Sequence, residues 1–179
     1  MLLGHKTRLR AVEREDLPLL TSWFNDPATR STLASYRPLS LADEARWYEG
    51  VLQSQTDQVF CIDATDGTAP PRTIGSCGIH HIDWKNRGCL VGILVGRAED
   101  RGRGYGTDAM RTLARYAHGE LGLVRVELEV FPTNTAAVKS YAKLGFKAEG
   151  TLRHAYFRDG RFQDLVLMSL LPGELKEPA

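Results

Sequence analysis

Arg101-Gly102-Arg103-Gly104-Tyr105-Gly106-Thr107 lies between the apolar run Val91-Gly92-Ile93-Leu94-Val95 and a segment with Met110, Leu113, Ala114 and Ala117 at helical spacing. This order predicts a strand, a glycine-spaced loop and a helix N-terminus. Such a junction suits a phosphate, because glycines let backbone N–H groups converge without Cβ crowding and the helix dipole adds positive potential. Arg101 and Arg103 add guanidinium groups that favour a dianion or pyrophosphate. A glycine-rich turn before a helix is also an ordinary tight connection, so the stretch alone leaves both readings open.

Two nucleotide-binding patterns do not fit it. The dinucleotide fingerprint needs G-x-G-x-x-G near the start of a βαβ unit and an acidic residue ending the next strand, whereas Gly102, Gly104 and Gly106 are evenly spaced. The P-loop needs a lysine after its last glycine, and Gly106 is followed directly by Thr107.

A second segment decides between the readings: Asn134-Thr135-Ala136-Ala137-Val138-Lys139-Ser140-Tyr141-Ala142-Lys143-Leu144-Gly145-Phe146. Together with Arg101-x-x-Gly104-x-Gly106 it resembles the GNAT superfamily of acyl-CoA-dependent N-acetyltransferases. In that superfamily Gln/Arg-x-x-Gly-x-Gly/Ala is the pyrophosphate loop, and Asn-x-x-Ala-x-x-x-Tyr-x-Lys-x-Gly-Phe is the second cofactor helix. The opening Leu9-Arg10-Ala11-Val12-Glu13-Arg14-Glu15-Asp16-Leu17 is similar to the branch containing ribosomal-protein alanine and spermidine/diamine acetyltransferases. So are Glu149-Gly150-Thr151-Leu152-Arg153 and the stretch from Arg158 to Asp164. The likeness runs from about Leu9 to Leu171.

The resemblance implies an α/β (α+β) GNAT fold, a mixed central sheet with a splayed strand pair and helices on both faces. It also implies direct acetyl transfer from acetyl-CoA to a primary amine, either a protein N-terminus or a small amine. Pantetheine is expected along Ile93, Leu94 and Val95, whose open backbone would bond it as an added strand. The pyrophosphate is expected on Arg101, Gly102, Arg103, Gly104, Tyr105, Gly106 and Thr107, with Asn134 and Lys143 as further cofactor contacts. Tyr141 is the expected general acid for the leaving thiolate, in the place where a tyrosine could also simply fill core space. The branch further implies a homodimer, for which the final hairpin carries Leu152, Tyr156, Phe157 and Phe162.

Relatives often place a glutamate near the start of the strand before the pyrophosphate loop, and Leu90 stands there. His80, His81 and Asp83 are replacements by location, with ordered water an equal route for the proton. Polyamine-acetylating relatives carry acidic residues between the first two helices. Here Leu33-Ala34-Ser35-Tyr36-Arg37 has none, which argues against spermidine and fits equally a protein N-terminus, an amino acid or another small amine bearing an anionic group. The missing strand glutamate is the one support for a non-catalytic acyl-CoA-binding protein. A different acyl-CoA donor is a further alternative.

Length fits one domain over residues 1–179. A formal net charge of +1 provides no field for nucleic acid or anionic membrane, and no stretch has the apolar length of a membrane span. Cys61, Cys77 and Cys89 lie in apolar runs without histidines at ligand offsets, which predicts reduced buried thiols, no metal and a cytoplasmic protein.

Periodicity predicts a strand at 9–12 and a helix with Leu17, Leu20, Trp23 and Phe24 ending at Asp26-Pro27. A helix capped by Ser40 should present Trp47, Val51 and Leu52 on one face, with residues 30–39 as a loop over the acceptor site. Strands follow at 59–64, 73–82 and 89–95, the first two joined by a turn at 66–71. A helix at 107–120, a strand at 123–130, a helix at 134–143 and a hairpin of 147–156 with 161–170 complete the order.

Overall fold

The computed structural model describes residues 1–65 and 71–178; most of the expected turn at 66–71 lies outside the described residues. The strands are β1 (Leu2–Leu3), β2 (Thr7–Ala11), β3 (Gln58–Ala64), β4 (Arg72–Asp83), β5 (Gly88–Val95), β6 (Arg125–Val130), β7 (Lys147–Arg158) and β8 (Arg161–Leu170). Among the described residues they form one sheet in the order β1-β2-β3-β4-β5-β6-β8-β7. Among the described residues only β5 and β6 pair in parallel, joined by a helical crossover; hairpins or long returns make the other pairs antiparallel.

The helices are α1 (Leu17–Asn25), α2 (Pro27–Arg30), α3 (Leu41–Gln53), α4 (Tyr105–Gly119) and α5 (Thr135–Leu144). On one face of the sheet, Met110, Leu113 and Ala117 of α4 pack on Ile62, Ile79 and Val91. On the other, Leu17, Leu20 and Trp23 of α1 and Tyr48 of α3 pack around Cys61 and Leu94. Strand alternation sends adjacent residues to opposite layers, so helices cover both faces of a mixed sheet, as expected.

Three details differ from the sequence reading. Asp26 ends α1 and also caps α2, accepting from the Thr29 N–H at 2.7 Å with Pro27 at the first helical position. The short α2 therefore begins what read as a loop. On α3 the buried positions are Glu44 and Tyr48, four apart, while Leu52 is 60% exposed. The buried face is thus rotated away from Leu52. At the N-terminus β2 starts at Thr7, and β1 adds an edge strand.

Asp108, in the first turn of α4, ties that N-terminal segment down. Its buried carboxylate accepts from the backbone N–H groups of His5 (3.1 Å), Lys6 (2.9 Å) and Thr7 (3.0 Å) and from the Thr7 hydroxyl (2.8 Å). Gly4 gives this contact its room, since a Cβ there would lie 2.3 Å from Asp108 Oδ2.

Candidate active site

The parallel β5–β6 ladder stops early. It pairs Gly88 with Arg125, Cys89 with Val126 and Leu90 with Glu127, and ends there. From Val91 to Val95, β5 pairs only with β4, so the side towards β6 is an open backbone edge. An open edge is a template for an extended, amide-bearing chain such as pantetheine.

The loop beyond β5 is shaped by Gly102 (φ +74°) and Gly104 (φ +89°), both in the left-handed region that glycine tolerates. Gly104 is the N-cap of α4 and brings no side chain to it, so the first-turn N–H groups face outward without a side-chain cap. Lys6 Nζ donates to the Arg103 carbonyl at 3.2 Å, placing an ammonium beside the loop. Sequence reasoning missed Lys6 because 97 residues separate it from its partner. The loop, its uncapped helix and two neighbouring cations fit a pyrophosphate.

Individual residues of the loop sort differently from the expectation. Arg101 is not a free anion ligand: its Nε donates to the Val95 carbonyl, and its Nη2 to the Gly96 carbonyl (2.9 Å) and the Thr29 hydroxyl (2.7 Å). It clamps the end of β5 to α2, because those carbonyls have no ladder partner once the strand ends. Tyr105 is 2% exposed within the core, so only its backbone can reach a ligand. Arg103 lies over the Tyr105 ring at 5.6 Å and keeps an exposed guanidinium.

The two motif helices meet where the Thr107 and Ser140 hydroxyls bond at 2.7 Å. Asn134 caps α5, its Oδ1 accepting from the Ala137 N–H at 3.3 Å. Tyr141 packs against Phe146 with ring centroids 5.8 Å apart, and burial pushes its phenol up to about 12. Lys143 is exposed in the last turn of α5.

On the α1/α3 side of β5 lies a cleft of about 440 Å³, within the range of small-molecule sites. Its apolar walls include Phe24, Leu33, Leu39, Trp47 and Val59, and its floor includes Gly78 and Gly92, paired across β4 and β5. The segment read as a loop over the acceptor supplies Leu33, Ser35, Arg37 and Leu39. His80 lines the cleft and meets Asp57 Oδ1 through Nδ1 at 3.2 Å. His81 is exposed at φ +52°, in the bulge between His80 and Asp83. Asp83 holds the hairpin turn through the Asn86 N–H at 2.9 Å. Of the three replacement bases suggested by location, His80 alone reaches the cleft.

Glu44 also lines the cleft and was not anticipated. It is 3% exposed, its Oε1 has no hydrogen-bond partner, and burial pushes its carboxyl up to about 7. An acidic residue in a first helical turn ordinarily faces water, so its type gave no sign of burial. The overlooked signal is spacing, since Glu44 precedes Tyr48 by one helical turn and shares its buried side. The thiols of Cys61, Cys77 and Cys89 are free and buried, and burial pushes each well above its ordinary value. None is a thiolate nucleophile at neutral pH. Among the described residues no cluster of three or more metal-ligating side chains occurs, and no helix is long and apolar enough to cross a membrane.

Residues 6–147 match the Acetyltransferase (GNAT) domain family. The chain belongs to the GNAT acetyltransferases. It is 29% identical over 188 residues to the uncharacterized N-acetyltransferase p20 of Bacillus licheniformis, with 97% of each chain covered. It is 24% identical to the spermidine N(1)-acetyltransferase of Escherichia coli K12, covering 93% of this chain and 87% of that one. The crystal structure of spermidine N-acetyltransferase from Vibrio cholerae in complex with CoA and spermine has the same fold. It superposes with a TM-score of 0.87 at 24% identity, over 94% of this chain and 97% of that chain. This GNAT protein is an acetyl-CoA-dependent N-acetyltransferase acting on an amine, as the paired motifs implied.

Proposed function

We propose that acetyl-CoA is held by the open edge of β5 at Ile93, Leu94 and Val95 and by the N-terminus of α4, and that a primary amine enters the cleft beneath residues 30–39. The observation that carries this is the early end of the β5–β6 ladder, which runs directly into the Gly102–Gly104 loop. The backbone N–H groups from Arg103 to Thr107 hold the pyrophosphate, and Lys6 and Arg103 add charge. Arg101 holds the loop in shape, and Asn134 fixes the start of α5 beside the cofactor. The cosubstrate supplies an activated acetyl thioester. Most of the acceleration comes from holding the amine against it, with Tyr141 giving a proton to the leaving sulfur.

Gly104→Val should abolish CoA binding, because a branched residue at φ +89° distorts the loop and places a side chain over the α4 N-terminus. Calorimetry with CoA on the folded variant checks this, and an unchanged affinity would contradict the loop assignment. Thiol release from acetyl-CoA across an amine panel tests the reaction. CoA binding without turnover on any amine would leave an acyl-CoA-binding protein instead.

Two further readings concern the whole molecule. We place the protein in a reducing, cytosolic compartment, consistent with its free buried thiols. We also propose a homodimer through the β7–β8 hairpin, where Phe157 and Phe162 are 57% and 58% exposed and their rings meet at 5.0 Å. Sedimentation should show a dimer at micromolar protein that Phe157→Glu with Phe162→Glu dissociates; a wild-type monomer would refute it.

A further inference from the structure

Glu44 is the ionisable group of the cleft that its surroundings leave uncommitted. A buried carboxylate oxygen without a donor is costly, and an ammonium supplies both the missing donors and a compensating charge. The other ionisable groups lining the cleft are Arg37, Asp43, His80 and the thiol of Cys77, which burial keeps protonated. Asp43 closes a capping box with Ser40, whose hydroxyl and N–H hold its carboxyl down at about 2, and it also meets Arg46 and, at 3.7 Å, Arg37. His80 faces Asp57. Apart from Ser35 and Ser76, the rest of the wall is apolar.

Resting on the acetyl-transfer reading above, we propose that Glu44 is the general base for an acceptor that carries one ammonium on an apolar body. Gly92, Ile93 and Leu94 line the same cleft, so an amine at Glu44 shares that cleft with the strand along which the thioester is expected. A carboxyl raised to about 7 is partly ionised at neutral pH and is a stronger base than an exposed glutamate. The ammonium gives its first proton to Glu44, which passes it to solvent. The free nitrogen then forms the C–N bond and loses a second proton to Glu44, which also passes it to solvent, and the C–S bond breaks. The sulfur takes a proton from Tyr141, which regains one from solvent, so each turnover releases one net proton. A polyamine would bring a second cation towards Arg37 with no uncommitted carboxylate among the lining residues to receive it.

The test compares 2-phenylethylamine and spermidine as acceptors for the wild-type enzyme and for Glu44→Gln and His80→Gln. Wild-type kcat/KM should favour 2-phenylethylamine by about tenfold or more, since a mismatched cation carries a desolvation cost. Glu44→Gln, nearly isosteric, should lower kcat for that amine on the order of 10²-fold at unchanged CoA affinity. It should also erase the acid limb of the kcat/KM–pH profile, which reports the free enzyme and which the wild type and His80→Gln should both show near pH 7. A limb that persists in Glu44→Gln, or that vanishes in His80→Gln, overturns the base assignment. Preference for spermidine overturns the acceptor class. A wild type that acetylates neither amine but turns over another member of the amine panel overturns the acceptor class, whereas CoA binding without turnover on any amine overturns the proposed function itself, and this assignment with it.

Discussion

Asp108→Ala should lower the melting temperature by roughly 10 °C, corresponding to a loss of about 4 kcal/mol for a chain of this size. The carboxylate accepts four hydrogen bonds from the 5–7 segment, and alanine leaves three backbone N–H groups without that acceptor in a partly or fully buried place. The effect should depend on pH in a defined direction. Burial alone would raise the Asp108 carboxyl, but the hydrogen bonds from Lys6, Thr7 and His5 outweigh it and hold the carboxyl below its ordinary value. A depressed folded-state value means the stabilisation is present above about pH 4 and is lost as pH falls through the folded value. The difference between wild type and Asp108→Ala in calorimetric scans should therefore shrink on acidification. A melting temperature within 2 °C or so of wild type at pH 7 would show that the segment is held by something else. CoA affinity should also fall several-fold, because the same anchor keeps Lys6 against the Arg103 carbonyl.

Tyr141→Phe is the second large effect, this time on rate. Turnover should fall on the order of 10²-fold with acetyl-CoA affinity nearly unchanged, since the ring and its packing on Phe146 survive while the proton donor is lost. Burial pushes the phenol up to about 12, so it stays protonated throughout the working range. Any basic limb below about pH 10 should consequently be the same in wild type and variant. Full activity in the variant would reduce Tyr141 to a packing residue. Weaker cofactor binding at unchanged turnover would make the hydroxyl a binding group.

The loop and helix of the proposed cofactor site were legible as structure because they are local. Gly102 and Gly104 are needed at positive φ, Asn134 at a cap, and Tyr141 two turns later, all within segments short enough for spacing to report geometry. Arg101 shows the limit of that reading, since the same guanidinium that suits a pyrophosphate also suits the carbonyls exposed where β5 ends. Only the neighbours distinguish the two uses.

The acceptor half was far less legible. The resemblance put Leu90 where relatives often carry a glutamate, and position along the chain pointed to His80, His81 and Asp83. A bulge after His80 turns His81 outward, and no periodicity announces a bulge. Glu44 was hidden by its type, because an acidic residue in a first helical turn ordinarily faces water.

The amino-acid sequence by itself determined the family, the order of the main strands and helices, the loop that needs glycine and the burial of the three cysteines. These follow from residue type, short spacing and apolar periodicity, which act along the chain. Tertiary structure alone decided where the β5–β6 ladder ends, that Lys6 stands beside the loop, that Arg101 is a clamp and that Glu44 is an unpaired carboxylate in an apolar cleft. Each depends on which distant segment fills the space next to a residue, and burial and pairing are properties of that neighbour as much as of the residue itself.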